Sequence, residues 1–184
     1  MIHPLGSRTG WCSPIAIFMA LCVIIGAGST DQRQTFLGIG LDDTASEIST
    51  RLERNPGISN SARRLYGDGS VEQRFQLQDG IFIRAVFADA KADETAQFIS
   101  FDGGTDFTAH DSWASLRHQL GPPTWKSKRD DGPMLRQIWG GKGLAGDAIR
   151  PDPNVAMVVE LIIGDGRQTL TMTRPSWFQG RKTH

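Results

Sequence analysis

Between residues 44 and 174 the apolar positions follow two rhythms, one helical and one extended, and the pair of rhythms occurs twice. Thr44 with Glu47 three residues later has the form of a capping box, and Ile48 and Leu52 then mark one helical stripe. Further along, Ser112 is placed to cap a helix with the stripe Leu116 and Leu120, stopped by Gly121-Pro122-Pro123. Thr44/Ser112, Ile48/Leu116 and Leu52/Leu120 share one offset, 68 residues. Each predicted helix has two to three turns and a narrow apolar face, so it needs a sheet to lie on.

After each helix the pattern becomes strand-like, punctuated by Asp-Gly at 68–69, 79–80, 131–132 and 165–166. Asp-Gly between apolar runs is a strong hairpin signal. Strands are predicted near 62–67, 71–77, 81–88 and 95–102, then near 124–130, 133–140, 155–164 and 167–174. Register follows from asking which loop collects apolar residues on one face. A three-residue loop at Gln78-Asp79-Gly80 pairs Leu77 with Ile81, Phe75 with Ile83 and Val71 with Phe87, with Gly80 at the left-handed bulge position. Two-residue loops suffice elsewhere. Asp165-Gly166 pairs Leu161 with Leu170 and Val159 with Met172; Asp131-Gly132 pairs Trp125 with Ile138 and Arg129 with Met134.

The expected fold class is α+β. Two tandem helix-plus-antiparallel-meander repeats, about 38–103 and 108–175, form one curved sheet with helices on one face, within a single domain over 30–184. The opposite face then carries Glu72, Arg74, Gln76, Phe82 and Arg84 from the first repeat. From the second it carries Lys126, Lys128, Gln137, Trp139, Glu160, Thr169, Thr171 and Thr173. Aromatics beside arginine are common interface anchors, so Phe82, Arg84, Arg74, Trp139 and Gln137 are the predicted protein-contact residues.

The segment before this pattern changes the picture of where the chain works. A polar start with Arg8, an apolar run from Ile15 to Gly28 and a small-residue close at Gly26-Ala27-Gly28-Ser29 read as a signal peptide over 1–29. Uncleaved, the same stretch is an N-terminal anchor to the inner membrane. Both cysteines, Cys12 and Cys22, lie inside it, so the exported part carries no disulfide and no thiolate chemistry. Lys plus Arg is 20 and Asp plus Glu is 20. This zero balance argues against a nucleic-acid partner or a polybasic membrane contact.

Candidate chemistry is sparse, and no cofactor or metal is expected. Gly141, Gly143 and Gly146 spell G-x-G-x-x-G, but Pro151 and Pro153 leave no room for the helix that holds a pyrophosphate, so the 140–154 stretch is read as a flexible loop. His110 and His118, eight apart, do not align on one helix face and read as surface or capping residues. Asp102 and Asp106 flank Gly103-Gly104-Thr105 as turn residues.

The run Gly40-Leu41 to Thr44-x-x-Glu47-Ile48 and Leu52, set beside Leu120-Gly121-Pro122-Pro123, each feeding Asp-Gly hairpins, resembles the small α/β module of the SmpA/OmlA (BamE-type) envelope lipoproteins. Its doubling resembles the β-lactamase inhibitor protein fold. The resemblance implies an exported (periplasmic), non-enzymatic protein-binding or scaffold module whose partner is another envelope protein. Two features depart from those groups: Met19-Ala20-Leu21 is a poor acylation box before Cys22, and no cysteine remains to staple the domain. The alternatives are a small periplasmic, hydrolase-like enzyme with a site near the 140–154 loop, and a membrane-tethered envelope component.

Overall fold

Thr44 opens the first helix as its sequence requires. Its Oγ1 accepts from the Glu47 amide at 3.2 Å while Glu47 Oε2 accepts from the Thr44 amide at 2.8 Å, and helix α1 runs Ala45–Glu53. The structure is a computed structural model describing residues 33–54, 57–104, 106–128, 135–144 and 148–180. The leader at 1–29, the Asp131-Gly132 turn with Arg129 and Met134, and Gly146 lie outside these residues.

Strands β1 (Ile58–Leu65), β2 (Val71–Leu77), β3 (Phe82–Phe87) and β4 (Ala96–Gly103) follow α1. A 3-10 turn (Phe107–Ala109) leads into helix α2 (Asp111–Leu120), then β5 (Trp125–Lys128) and β6 (Leu135–Trp139). The remainder is a small hairpin, β7 (Gly141–Gly143) and β8 (Ile149–Pro151), then β9 (Val158–Gly164), β10 (Arg167–Thr173) and the short helix α3 (Pro175–Gly180). The architecture is α+β: one eight-stranded antiparallel sheet in the order β1-β2-β3-β4-β10-β9-β6-β5, the β7-β8 hairpin and three short helices.

The tight turns set the registers expected of them. Leu77 donates to Ile81 O at 2.8 Å, Phe75 opposes Ile83, Val71 opposes Phe87, and Gly80 has φ +85°. Asp165 and Gly166, at φ 52° and 71°, place Leu161 opposite Leu170 and Val159 opposite Met172. Both positive φ values are what a two-residue hairpin with right-handed strand twist demands. Trp125 opposes Ile138 as expected.

Residues directly opposed across an antiparallel pair share a face. On one face Phe75, Ile83, Ala85, Phe101, Leu170 and Leu161 meet Ile48 and Leu52 of α1 and Trp113 and Leu116 of α2 in one core. Leu120, read as a full stripe member, is only partly buried. Three further core residues come from the segment before α1, where no element was expected: Phe36, Ile39 and Leu41 are buried around a tight turn at Leu37-Gly38. The Phe36 ring packs edge-on against Phe101 at 4.9 Å. Arg174 Nη2 fastens this segment to the end of β10, donating to Leu41 O at 3.0 Å and Asp42 Oδ1 at 2.9 Å.

Two local expectations are corrected. Ser112 is not the cap of α2. His110 holds that position, because the 3-10 turn, nucleated by buried Phe107 and capped by Asp106 Oδ1 on the Thr108 amide at 2.9 Å, feeds the helix directly. Ser112 Oγ is left buried without a hydrogen-bond partner among the described residues. The 140–154 stretch is also more than a flexible loop, since it contains the β7-β8 hairpin.

The larger correction concerns Trp139 and Gln137. β6 pairs with β9 so that Gln137 opposes Leu161 and Trp139 opposes Val159, which puts both on the helix-covered face. Trp139 is 2% exposed and belongs to the core; Gln137 is half-buried. Lys126, opposite Gln137, shares that face. Trp125, Arg136 and Ile138 stand on the other face, and there the sheet is covered too. Gly143 approaches so closely that a Cβ would lie 2.6–2.7 Å from the Trp125 ring, and Trp177 of α3 stacks on Phe98 at 6.2 Å. Both sides of β6 therefore carry buried side chains, Arg136 and Ile138 on one and Trp139 on the other, and alternation along the strand does not tell one face from the other.

Gly140 makes the covering hairpin possible. Its φ is +73°, and a Cβ there would stand 2.6 Å from the Met157 carbonyl oxygen. Gly140→Ala is expected to cost about 1–3 kcal/mol from backbone strain and overpacking. Urea midpoints of the two proteins measure it, and an unchanged midpoint would mean that the turn has no need of glycine.

Candidate functional site

The outer face of β1, β2 and β3 is reached by α3 at its Val86 end, where Ser176 and Trp177 stand beside Arg84 and Val86, and is left open toward Phe82. Alternation sends Arg64 of β1, Glu72 and Arg74 of β2, and Phe82 and Arg84 of β3 to it, and the register sets Arg74 directly opposite Arg84. Like charges so placed repel. Glu72, fully buried, holds them together: its Oε2 accepts from Arg84 Nε at 2.5 Å, its Oε1 from Arg74 Nε, and its Oε2 also from Tyr66 Oη at 2.9 Å. Burial pushes the Glu72 carboxyl up, but the hydrogen bonds from Tyr66, Arg74 and Arg84 together outweigh it and hold the group below the usual glutamate range.

The aromatic surroundings continue the cluster. The Arg84 guanidinium lies over Phe98 at 5.5 Å, and Arg64 lies over Tyr66 at 4.8 Å. Arg84 divides two shallow concavities. One, of about 520 Å³, is bordered by Asn60, Arg74, Gln76, Phe82 and Asp102; the other, of about 510 Å³, by Tyr66, Asp68, Val86 and Trp177. Phe82 is 47% exposed in the first.

Three of the five predicted contact residues, Phe82, Arg84 and Arg74, are thus brought together, while Trp139 and Gln137 lie on the opposite side of the sheet. Sequence reasoning missed that Glu72 is buried, and missed Tyr66 and Trp177 as neighbours. Glu72-x-Arg74 at strand spacing, after the chain's single tyrosine, was the available signal. Another carboxylate–guanidinium pair, Arg136 with Glu160, joins β6 to β9 on the outer face, with Arg136 over Trp125 at 5.7 Å. It is largely dry, at 10% and 13% exposure.

The other sequence candidates have local roles. Asp106 caps the 3-10 turn and also accepts from Gln168 Nε2 at 2.9 Å; the Thr108 hydroxyl first, then Gln168, hold its carboxyl below the usual aspartate range. His110 packs edge-on against Phe36, and His118 is exposed. Gly141 and Gly143 are strand residues. Among the described residues no group of three His, Cys, Asp or Glu is placed to hold a metal ion, and no helix is long and apolar enough to cross a membrane. Comparison of the chain with protein-family models, with curated proteins and with solved structures finds no match.

Proposed function

We propose that this chain is an exported, non-enzymatic protein-binding module of the cell envelope, and that its contact surface is the outer face of β1–β3. The observation that carries the reading is Phe82, 47% exposed between Arg84 and Gln76, on the part of the outer face that neither α3 nor the hairpin reaches. An aromatic ring beside arginine in a shallow concavity is the composition of an interface hot spot. Further along the same sheet the outer face is shielded, which argues that shielding was attainable and that the gap has a use.

The proposed origin of the body is a duplicated helix-plus-meander unit, as in the resemblance to the tandem inhibitor fold. The strand order supports it: β1-β2-β3-β4 is followed by β10-β9-β6-β5, two groups of four running outward from the β4/β10 seam. Ile48 and Leu116, 68 positions apart, are both fully buried. Delivery to the periplasm rests on the leader at 1–29, and a retained leader would make the chain a tethered component of the inner membrane.

Capture from envelope extract tests the contact. Phe82→Ala is expected to leave stability within about 0.5 kcal/mol, as for a surface substitution. It should weaken recovery of a partner at least about fivefold, the equivalent of roughly 1 kcal/mol. Equal recovery, or a strong loss of stability, would remove Phe82 as a contact residue.

A further inference from the structure

Resting on the reading of this face as a protein contact, we infer that it receives an extended acidic segment, which presents one carboxylate side chain to Arg74 and Arg84 and, two residues away, a large apolar side chain to Phe82. Charge comes first. Arg64, Arg74 and Arg84 share the outer face of β1–β3 with Glu72, Asp68 borders it, and Asp102 beside it is paired with Arg167 at 4.0 Å, in a chain whose formal net charge is zero. The local excess is cationic, so the complementary surface is anionic.

The size of the excess selects the ligand. Arg74 and Arg84 each reach Glu72 through Nε, and their side chains remain 57% and 41% exposed. Two guanidinium groups against one buried carboxylate leave a single positive charge between them, which one further carboxylate balances. A phosphate dianion would overshoot it. Guanidinium groups bind carboxylates through paired N–H donors, and the exposed ends here are already steered by their bonds to Glu72.

Spacing selects the conformation. Phe82 and Arg84 are alternate residues of β3, so their side chains leave the sheet about 6.6–6.8 Å apart. Side chains two residues apart in an extended peptide have the same separation. Asp102, opposite Phe82 on β4, stands at the far end of the groove and is paired there with Arg167 at 4.0 Å.

The test uses the isotope-labelled full chain and two probe peptides, acetyl-Ser-Glu-Ser-Leu-Ser-amide and acetyl-Ser-Leu-Ser-Glu-Ser-amide, so that either strand direction is sampled. At least one is expected to give saturable NMR shifts at Phe82, Arg84 and Arg74. Replacing its Glu by Gln should weaken binding about tenfold, the effect of losing a charge-assisted pair. Because Arg74→Gln disturbs Glu72 as well, Phe82→Ala is the second variant: it should weaken both peptides while preserving the preference for Glu. Equal binding of Glu and Gln peptides would overturn the inference. So would the same shifts produced by inorganic phosphate alone, shifts confined to another surface, or no shifts at all. If envelope capture depends on Phe82 while Glu and Gln peptides bind alike, the contact face stands and the acidic segment falls. Capture independent of Phe82 removes the face itself.

Discussion

Trp139→Ala is expected to lower the free energy of unfolding by about 3–5 kcal/mol, the range for truncating a large aromatic in a core. Trp139 packs edge-on against Trp113 of α2 at 5.7 Å, its Nε1 donates to Gly121 O at 2.9 Å, and Arg117 lies over its ring at 5.6 Å. One side chain thus fastens β6 to both the body and the end of α2. The truncation leaves a cavity and removes one of two side-chain donors to that carbonyl, the other being Arg117 Nη1 at 2.6 Å. Trp139→Phe keeps ring contact with Trp113 but loses the hydrogen bond, so a smaller loss of about 1–1.5 kcal/mol is expected. Urea denaturation of the three proteins checks the order. If Trp139→Ala melted like the wild type, the β6–β9 register described above would be wrong.

Glu72→Gln is the second large effect. Removing one member of a buried ion pair costs about 3–5 kcal/mol when the other is left uncompensated. Here Arg74 and Arg84 are half-exposed and can turn toward water, so the low end, about 3 kcal/mol, is expected at neutral pH. The dependence on pH identifies the cause. Glu72 is held below the ordinary glutamate range in the folded protein. The unfolded chain therefore binds its proton first as pH falls, and the stability contributed by the ionised group is complete above the unfolded pKa. That contribution disappears as pH drops through the depressed folded value. The wild-type advantage over Glu72→Gln should shrink accordingly on going from neutral pH to about pH 3. A gap that stays constant with pH would mean that the variant suffers from altered packing and that charge has no part in it.

The site shows what kind of information a sequence of this type carries. Phe82, Arg84 and Arg74 were placed together correctly because the Gln78–Gly80 turn, three residues long with Gly80 at φ +85°, fixes the β2–β3 register locally. Every second residue of both strands then has an assigned face. Trp139 and Gln137 were misplaced although their own hairpin register was right, since Trp125 does oppose Ile138. Between β6 and β9 stand fifteen or more residues, including another hairpin, and a connection of that kind imposes no phase on the pairing. Glu72 was assigned to the correct face, but its burial follows from neighbours on another strand and in the β1–β2 loop.

By itself the sequence determined the local, short-range features: the capping box at Thr44, the positions of ten-residue-scale helices and strands, and the registers across Asp-Gly turns. Each depends on backbone geometry and alternation over fewer than a dozen residues. It also indicated the α+β class, because short helices with one apolar stripe require a sheet. Only the tertiary structure decided which side of the second four strands meets the helices, that α3 and the β7-β8 hairpin cover the other side, and that Phe36, Ile39 and Leu41 join the core. These outcomes depend on contacts between segments far apart in the chain. A strand buried on both faces, such as β6 with Ile138 and Trp139 pointing opposite ways, reads the same in either orientation until its neighbour's register is fixed.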